Sequence, residues 1–297
     1  MDSVYPSYVA GKTVRLKDNL GTLSSTTAIA AVDKDYKSVI DTKITPVLDK
    51  YLYIKRQPAA YAQYAGTSDI GDRMYEDNMR LGIDFADIYL QTRDRKYLDK
   101  AESIWNFVKK GIDISGGMRM SEMSTKKMDP VMNAYAVVFA AKLYQATDNQ
   151  DYLDIAKGMY IWAQENPSDG LALAGGSGLM IQAGAILFRL TSRLPYLTDA
   201  RERARYCHDA FFKPVEGPDG KEFRMLAEDL DPWQLVLMSR GLLDLYGTDG
   251  EPAYVNDIRK SLEKIWADSL SGRSLMQSSN RARQCALAEI YARLGAL

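Results

Sequence analysis

Apolar positions along this chain follow two helical patterns that alternate. Asn133–Tyr144 (NAYAVVFAAKLY), Gly178–Leu190 (GLMIQAGAILFRL) and Trp233–Tyr246 (WQLVLMSRGLLDLY) are apolar nearly all round, which predicts helices enclosed by protein. Other segments are one-sided: Tyr97, Ala101, Ile104, Trp105 and Val108 fall at i, i+4, i+7, i+8 and i+11 with charges between them, the pattern of a helix with one face in water. A short turn joins each pair, and it repeats. An aromatic residue is followed eight positions later by a tyrosine in four places, Tyr89 to Tyr97, Tyr144 to Tyr152, Phe188 to Tyr196 and Tyr246 to Tyr254. Four copies of one feature mean four copies of one helix-turn-helix unit. Such alternation predicts an all-α fold, a toroid with the buried helices ringed around an axis. The count of helices, about ten or eleven by their periodicity, leaves a ring of six hairpins either incomplete or closed by the N-terminal segment.

Residues 1–23 show little periodicity and read as an irregular arm, and 24–297 as a single toroid domain. The first helical stretch is expected from Thr26 to about Lys55, broken near Pro46, which cannot donate to a helical ladder. Loop signals run from Pro58 through Gly71, and a buried helix opens at Tyr75. Turns within the hairpins are short. The returns between hairpins are long, about Gly111–Asp129, Glu165–Ser177, Lys213–Asp229 and Ser269–Gln277, and they share the face where buried helices begin. A site is expected there.

Composition removes several function classes. With 38 basic and 39 acidic residues and a net charge of -1, the chain offers no field to attract nucleic acid or an anionic membrane. One histidine, His208, argues against a zinc site and leaves His-activated nucleophiles without a base. Cys207 and Cys285 are too few for a disulfide scaffold and are expected to be buried free thiols. Gly116-Gly117 and Gly175-Gly176 are not phosphate loops, because neither follows a strand nor carries the Lys-Ser/Thr of a P-loop, and no calcium-loop pattern is present. No metal or other cofactor is therefore expected, and the partner is a small molecule or an oligosaccharide. The N-terminal MDSVYPSYVAGKTVRLKDNLG lacks an apolar run, and no window approaches 18 apolar residues. That fits a cytoplasmic protein, or a secreted one whose leader has been removed.

Candidate chemistry centres on Met74-Tyr75-Glu76-Asp77-Asn78-Met79-Arg80 at the start of the buried helix. Two readings of its carboxylates stand side by side. Acids at a helix N-terminus satisfy orphan N–H groups and the helix dipole, and Glu76 with Arg80 makes an i, i+4 pair worth a few tenths of a kcal/mol. Alternatively, Asp77, Arg80, Asp84, Asp87 and Gln91 form a polar stripe on an otherwise apolar helix, and an enclosed helix can turn such a stripe only toward a cleft. Neighbouring carboxylates repel, which tends to keep one protonated, and acid-base work on a glycosidic bond needs that asymmetry.

The run Tyr75-Glu76-Asp77-Asn78, then Ile88-Tyr89, Thr92, Tyr97-Leu98 and Ala101, then Gly116-Gly117-Met118-Arg119-Met120, then Asn133 with Phe139-Ala140-Ala141-Lys142-Leu143-Tyr144, resembles glycoside hydrolase family 76 over roughly residues 70 to 297. The resemblance implies an (α/α)6 toroid of the six-hairpin glycosidase type, endo-α-1,6-mannanase activity, retention of configuration, and an adjacent Asp-Asp pair acting as nucleophile and acid/base. Carried over, Glu76 takes the nucleophile position and Asp77 the acid/base position, with Tyr75, Arg80, Met118, Arg119, Met120, Asn133, Ser177 and Gln234 at the substrate. Several of these depart from the family pattern. Glu76 stands where the family has Asp, Arg80 where a Trp usually follows, and Arg119 and Met120 where it has an aromatic pair. Gly175-Gly176-Ser177-Gly178 replaces a Tyr-Asn-Gln-Gly motif, and Gln234-Leu235-Val236 lies near a Phe-Lys-Gly position, with Arg240 still in register.

Met74, Met79, Met118, Met120, Met123, Met128 and Met132 cluster on the same segments, either as core filler or as a soft apolar lining. Three functions follow: an α-mannan hydrolase using Glu76 and Asp77, a repurposed toroid doing acid-base chemistry on an apolar or acidic small molecule, or a non-catalytic binding protein. The hydrolase requires carboxyls about 5 Å apart in an open groove. The repurposed enzyme requires a closed, Met-lined pocket with Arg80 or Arg119 turned inward. The binding protein requires Glu76 locked to Arg80 and no usable acid.

Overall fold

A computed structural model of the chain describes residues 14–66, 70–124, 128–216, 222–227, 229–270 and 280–297. Contacts divide it into two compact units, Met1–Pro167 and Ser168–Leu297. The first holds α1 (Lys17–Val32), α2 (Tyr36–Val39), α3 (Thr45–Leu48), the short strands β1 (Leu52–Tyr53) and β2 (Ala60–Tyr61), and the hairpins α4 (Tyr75–Thr92) with α5 (Arg95–Val108) and α6 (Pro130–Thr147) with α7 (Gln150–Glu165). The second holds α8 (Asp169–Ala172), the hairpin α9 (Ala174–Thr191) with α10 (Leu194–Phe211), a β-hairpin of β3 (Phe212–Glu216) and β4 (Glu222–Leu226), then α11 (Pro232–Asp249), α12 (Ala253–Leu270) and α13 (Arg281–Gly295). Both two-stranded sheets are antiparallel. Among the described residues no helix is long and apolar enough to cross a membrane.

The repeated turn has a common construction. Helices α4, α6, α9 and α11 each end on a left-handed residue, Arg93, Asp148, Ser192 or Gly250. Its N–H donates to the carbonyl of the repeat aromatic, Tyr89, Tyr144, Phe188 or Tyr246, at 2.7 to 2.8 Å. One bond thus satisfies a terminal carbonyl and turns the chain into the next helix. Thr92, Thr147 and Thr191, three residues after the aromatic, each donate to the carbonyl four residues back and accept from the N–H two residues on. The helices before these turns are buried on most sides, as expected. α5 buries Tyr97, Leu98, Ala101, Ile104, Trp105, Phe107 and Val108, the face its periodicity specifies.

Within the first unit α4 and α6 lie close together. A Cβ placed on Gly82 would come within 2.1 Å of the Phe139 ring, so the glycine sets the spacing. Phe139 in turn meets Trp105 edge-on at 5.4 Å. In the second unit a Cβ on Gly178 would strike the backbone of Leu237 and Met238 at 2.4 Å. There the close neighbour is main chain.

Several boundaries differ from expectation. The first helix begins at Lys17, inside the stretch expected to be an irregular arm; residues 1–13 lie outside the described residues. That helix buries Leu20, Leu23 and Ala28 among Asn19, Thr22, Ser24, Ser25, Thr26 and Thr27, so polar residues outnumber the apolar ones on its buried surface. The single stretch expected from Thr26 to Lys55 is broken first at Asp33, and a π-turn at Ile40–Ile44 precedes Pro46, which has no N–H to return to Thr42 and crowds its carbonyl. Gly175–Ser177, expected in a loop, form the first turn of α9. The loop expected at Lys213–Asp229 contains the β3–β4 hairpin, and most of Ser269–Gln277 lies outside the described residues.

Candidate active site

The entry to α4 is built from three chain segments of the first unit. Met74 bridges Ser121, the Tyr75 N–H donates to the Met120 carbonyl at 3.0 Å, and the Glu122 N–H donates to the Arg73 carbonyl at 3.1 Å. Arg73, buried immediately before the helix, secures this joint. Its Nε donates to Glu122 Oε2 at 2.8 Å, its Nη1 donates to the Pro58 carbonyl at 2.7 Å and to the Arg56 carbonyl at 3.1 Å, and its guanidinium lies 4.7 Å from the Phe107 ring centre. Asn78 ties the helix to β2: its Oδ1 accepts from the Tyr61 N–H at 2.9 Å, and its Nδ2 donates to the Tyr61 and Met74 carbonyls at 2.8 Å. The first turn of α4 is therefore held by bonds to loops on two sides, the rigidity that a positioned reactive group requires.

Glu76 and Asp77 occupy that first turn. Adjacent residues on a helix diverge by about 100°, and the two carboxyls have different surroundings. Asp77 is only 8 % exposed. Burial is the largest influence on it and pushes its pKa up to about 6, with Arg80 pulling the other way and the Glu76 charge adding to the rise. The Glu76 side chain is 32 % exposed, and its Oε1 faces the Tyr135 hydroxyl of α6 at 3.5 Å and Arg80 Nη1 at 3.9 Å. One carboxyl is buried and inclined to keep its proton, the other is open and flanked by a cation and a phenol. Pairs whose environments differ in this way divide into acid and base or nucleophile.

Other residues expected at the substrate make contacts within the protein. Tyr75 is buried and stacks on Phe107 at 4.8 Å; burial raises its pKa. Met118 and Asn133 are fully buried. The Met118 N–H donates to Asn133 Oδ1 at 2.9 Å, and Asn133 Nδ2 donates to the Gly116 carbonyl at 2.8 Å, so Asn133 pins the long loop to α6. Both side chains, expected from the sequence at the substrate, lie inside the protein. Arg119 Nη2 donates to the Lys110 carbonyl at 2.8 Å, and its guanidinium lies 6.0 Å from the Tyr75 ring centre. It braces the same loop. Met120 is 43 % exposed on the segment that pairs with Tyr75. The methionines divide: Met79, Met118 and Met132 are core, Met120 and Met123 are exposed, and Met74 and Met128 are half-buried.

In the second unit Ser177 is buried, with its hydroxyl donating to the Leu171 carbonyl at 2.9 Å. It too was expected at the substrate and lies inside the protein. Gln234 is half-buried in the first turn of α11, where its N–H donates to Asp231 Oδ1 at 3.1 Å. Arg240 and Glu289, both buried, are joined at 2.6 Å, and Arg293 joins the same carboxylate at 2.8 Å. The polar stripe on α4 also has structural partners, since Asp87 pairs with Lys142 of α6. Cys207 is buried, which pushes its thiol up to about 12, whereas Cys285 is half-buried. Among the described residues no three His, Cys, Asp or Glu side chains gather into a metal cage.

The sequence reading missed Arg73, Glu122 and Tyr135. Arg73 and Glu122 are 49 residues apart, and Tyr135 and Glu76 are 59 apart. No local spacing marks such pairs.

Comparison with known proteins bears on this geometry. Residues 26–173 match the family model described as glycosyl hydrolase family 76. A family 76 glycoside hydrolase (mannosidase) from Bacteroides thetaiotaomicron VPI-5482 has a similar structure, with 24 % identity, coverage of 99 % of this chain and 90 % of that one, and a TM-score of 0.86. A family 76 glycoside hydrolase from a bovine Bacteroides thetaiotaomicron strain is 27 % identical over 98 % of this chain and 71 % of that one, with a TM-score of 0.85. An inactive variant of the α-1,6-mannanase of Salegentibacter sp. HEL1_6, with two consecutive aspartates changed to asparagine and α-1,6-mannotriose bound, matches with 16 % identity over 95 % and 90 % of the two chains and a TM-score of 0.74. No curated protein matches the sequence. The fold class is the all-α toroid of these proteins.

Proposed function

Because the chain belongs to glycoside hydrolase family 76, we propose that it cleaves α-1,6-linked mannosides with retention of configuration, using Glu76 as nucleophile and Asp77 as acid/base. The observation that carries this reading is the buried Asp77, whose proton is held to about pH 6 beside the more open Glu76. In the first step Asp77 gives its proton to the glycosidic oxygen as the Glu76 carboxylate bonds to the anomeric carbon, and the bond to the leaving sugar breaks. Asp77, now ionised, takes a proton from water as that water attacks the anomeric carbon and releases Glu76. Two inversions give net retention. A relative's ligand supports the linkage: the Salegentibacter mannanase holds α-1,6-mannotriose in a variant lacking two consecutive aspartates. A usable acid in the first turn of α4 also favours a hydrolase over a binding protein.

The test is hydrolysis of α-1,6-mannotriose and longer α-1,6-mannooligosaccharides, with the anomer released first read by NMR. Glu76→Gln and Asp77→Asn are each expected to lower kcat by about 1,000-fold or more while the chain stays folded. Full activity in Glu76→Gln, or a β-anomer as first product, overturns the assignment. Folded wild-type protein that leaves every one of these substrates intact overturns the substrate.

A further inference from the structure

We infer that Tyr135 and Arg80 are positioning residues that jointly hold the Glu76 carboxylate through its Oε1 oxygen. The inference rests on the assignment of Glu76 as nucleophile and adds the means by which it is aimed. A glutamate at this position carries one more methylene than an aspartate and therefore one more torsion to fix. An extra torsion lets the carboxylate drift by an ångström or more, and a displacement of that size costs about 100-fold in rate. Something must therefore define where the longer side chain ends.

The two groups suited to this converge on one atom from different helices. The Tyr135 hydroxyl reaches Glu76 Oε1 at 3.5 Å from α6, and Arg80 Nη1 reaches the same oxygen at 3.9 Å from one turn further along α4. Both anchors are themselves fixed. Tyr135 is 2 % exposed and the Arg80 side chain 11 %, so packing sets their rotamers. Gly82 sets how near α6 comes to α4, because any side chain there would meet Phe139. With Oε1 occupied on the protein side, Oε2 is left to attack. Contacts of this length around catalytic groups can tighten when the substrate complex forms. The same Arg80 charge acts on Asp77, but burial outweighs it there.

A double-mutant cycle on α-1,6-mannooligosaccharide hydrolysis tests the inference, with Glu76→Gln measured alongside. Tyr135→Phe keeps the ring and its packing, and it is expected to lower kcat by about 10- to 100-fold with KM changed less than about threefold. In a Glu76→Asp background, where the shorter carboxylate retreats from the phenol, the same change is expected to lower kcat by less than about threefold further. Arg80→Gln should show the same dependence on background, and Arg80→Lys should recover part of its loss. Equal loss in both backgrounds accompanied by a lower melting temperature makes Tyr135 a packing residue and overturns the inference. If Tyr135→Phe melts too early to assay, the Arg80→Gln cycle decides in its place. Should Glu76→Gln be inactive while Tyr135→Phe and Arg80→Gln keep full kcat, only the positioning role fails. An active Glu76→Gln brings down the nucleophile assignment itself.

Discussion

Asp77 lies where the dipole of α4 favours a carboxylate, yet burial wins and holds its proton to about pH 6. The consequence for stability follows from linkage. The ordinary Asp value of 3.8 describes the unfolded chain, so between about pH 4 and pH 6 the folded protein binds more protons than the unfolded one, and stability falls as pH rises through that window. The loss reaches about 3 kcal/mol, because a tenfold difference in proton affinity between the folded and unfolded chain is worth about 1.4 kcal/mol. Asp77→Asn removes the charge and is expected to melt several degrees above wild type at pH 8 but close to it at pH 4, while losing hydrolysis. Paired thermal melts at the two pH values check this, and equal melting at pH 8 would show that Asp77 bears no such burden. At this scale the sequence displayed the adjacent carboxylates but not what distinguishes them. The burial of Asp77, the Tyr135 hydroxyl on Glu76 and the Arg73–Glu122 joint all join residues remote in sequence. The burial of Met118, Asn133 and Ser177 was hidden for the same reason, since a loop position and a buried one look alike until the chain is folded.

The hairpin is the element the sequence disclosed most fully. The aromatic recurs in all four turns and a threonine three residues later in three of them because each has a place in the turn: the aromatic carbonyl accepts the capping N–H, and the threonine bonds backward and forward. Three of the four turns put a non-glycine residue at positive φ, Arg93 at 59°, Asp148 at 57° and Ser192 at 57°, whereas the fourth uses Gly250. A side chain there strains the backbone by about 1 kcal/mol or more, part of which glycine gives back through its freer unfolded state. Ser192 is exposed. Ser192→Gly is expected to stabilise the second unit by about 0.5 to 1 kcal/mol, measured as a shift in denaturant midpoint at constant slope; a destabilised variant would show that the serine side chain is needed at the cap. α1 escaped recognition in its first turns because these bury only Leu20 and Leu23 beside Asn19 and Thr22, too short an apolar run for periodicity to register.

Across the whole molecule, 38 basic residues nearly balance 39 acidic ones, and a neutral glycan has no charge to be steered. Hydrolysis of α-1,6-mannooligosaccharides is therefore expected to change in kcat/KM by less than about twofold between roughly 0.05 and 0.5 M salt, because screening acts on charge pairs. A steep salt dependence would point to an anionic substrate read by Arg80. The sequence by itself determined the all-α fold, the four hairpin turns, the opening of α4 at Tyr75 and the face buried by α5. These depend on periodicities and turn chemistry that operate within about twenty residues, and the family motifs are equally local. Tertiary structure alone decided that Asn133 clamps a loop, that Gly175 and Gly176 lie within a packed helix, and that Asp77 is buried while Glu76 stays open under Tyr135. Burial, desolvation and hydrogen bonds between distant segments are properties of packed neighbours, and no window of sequence contains those neighbours.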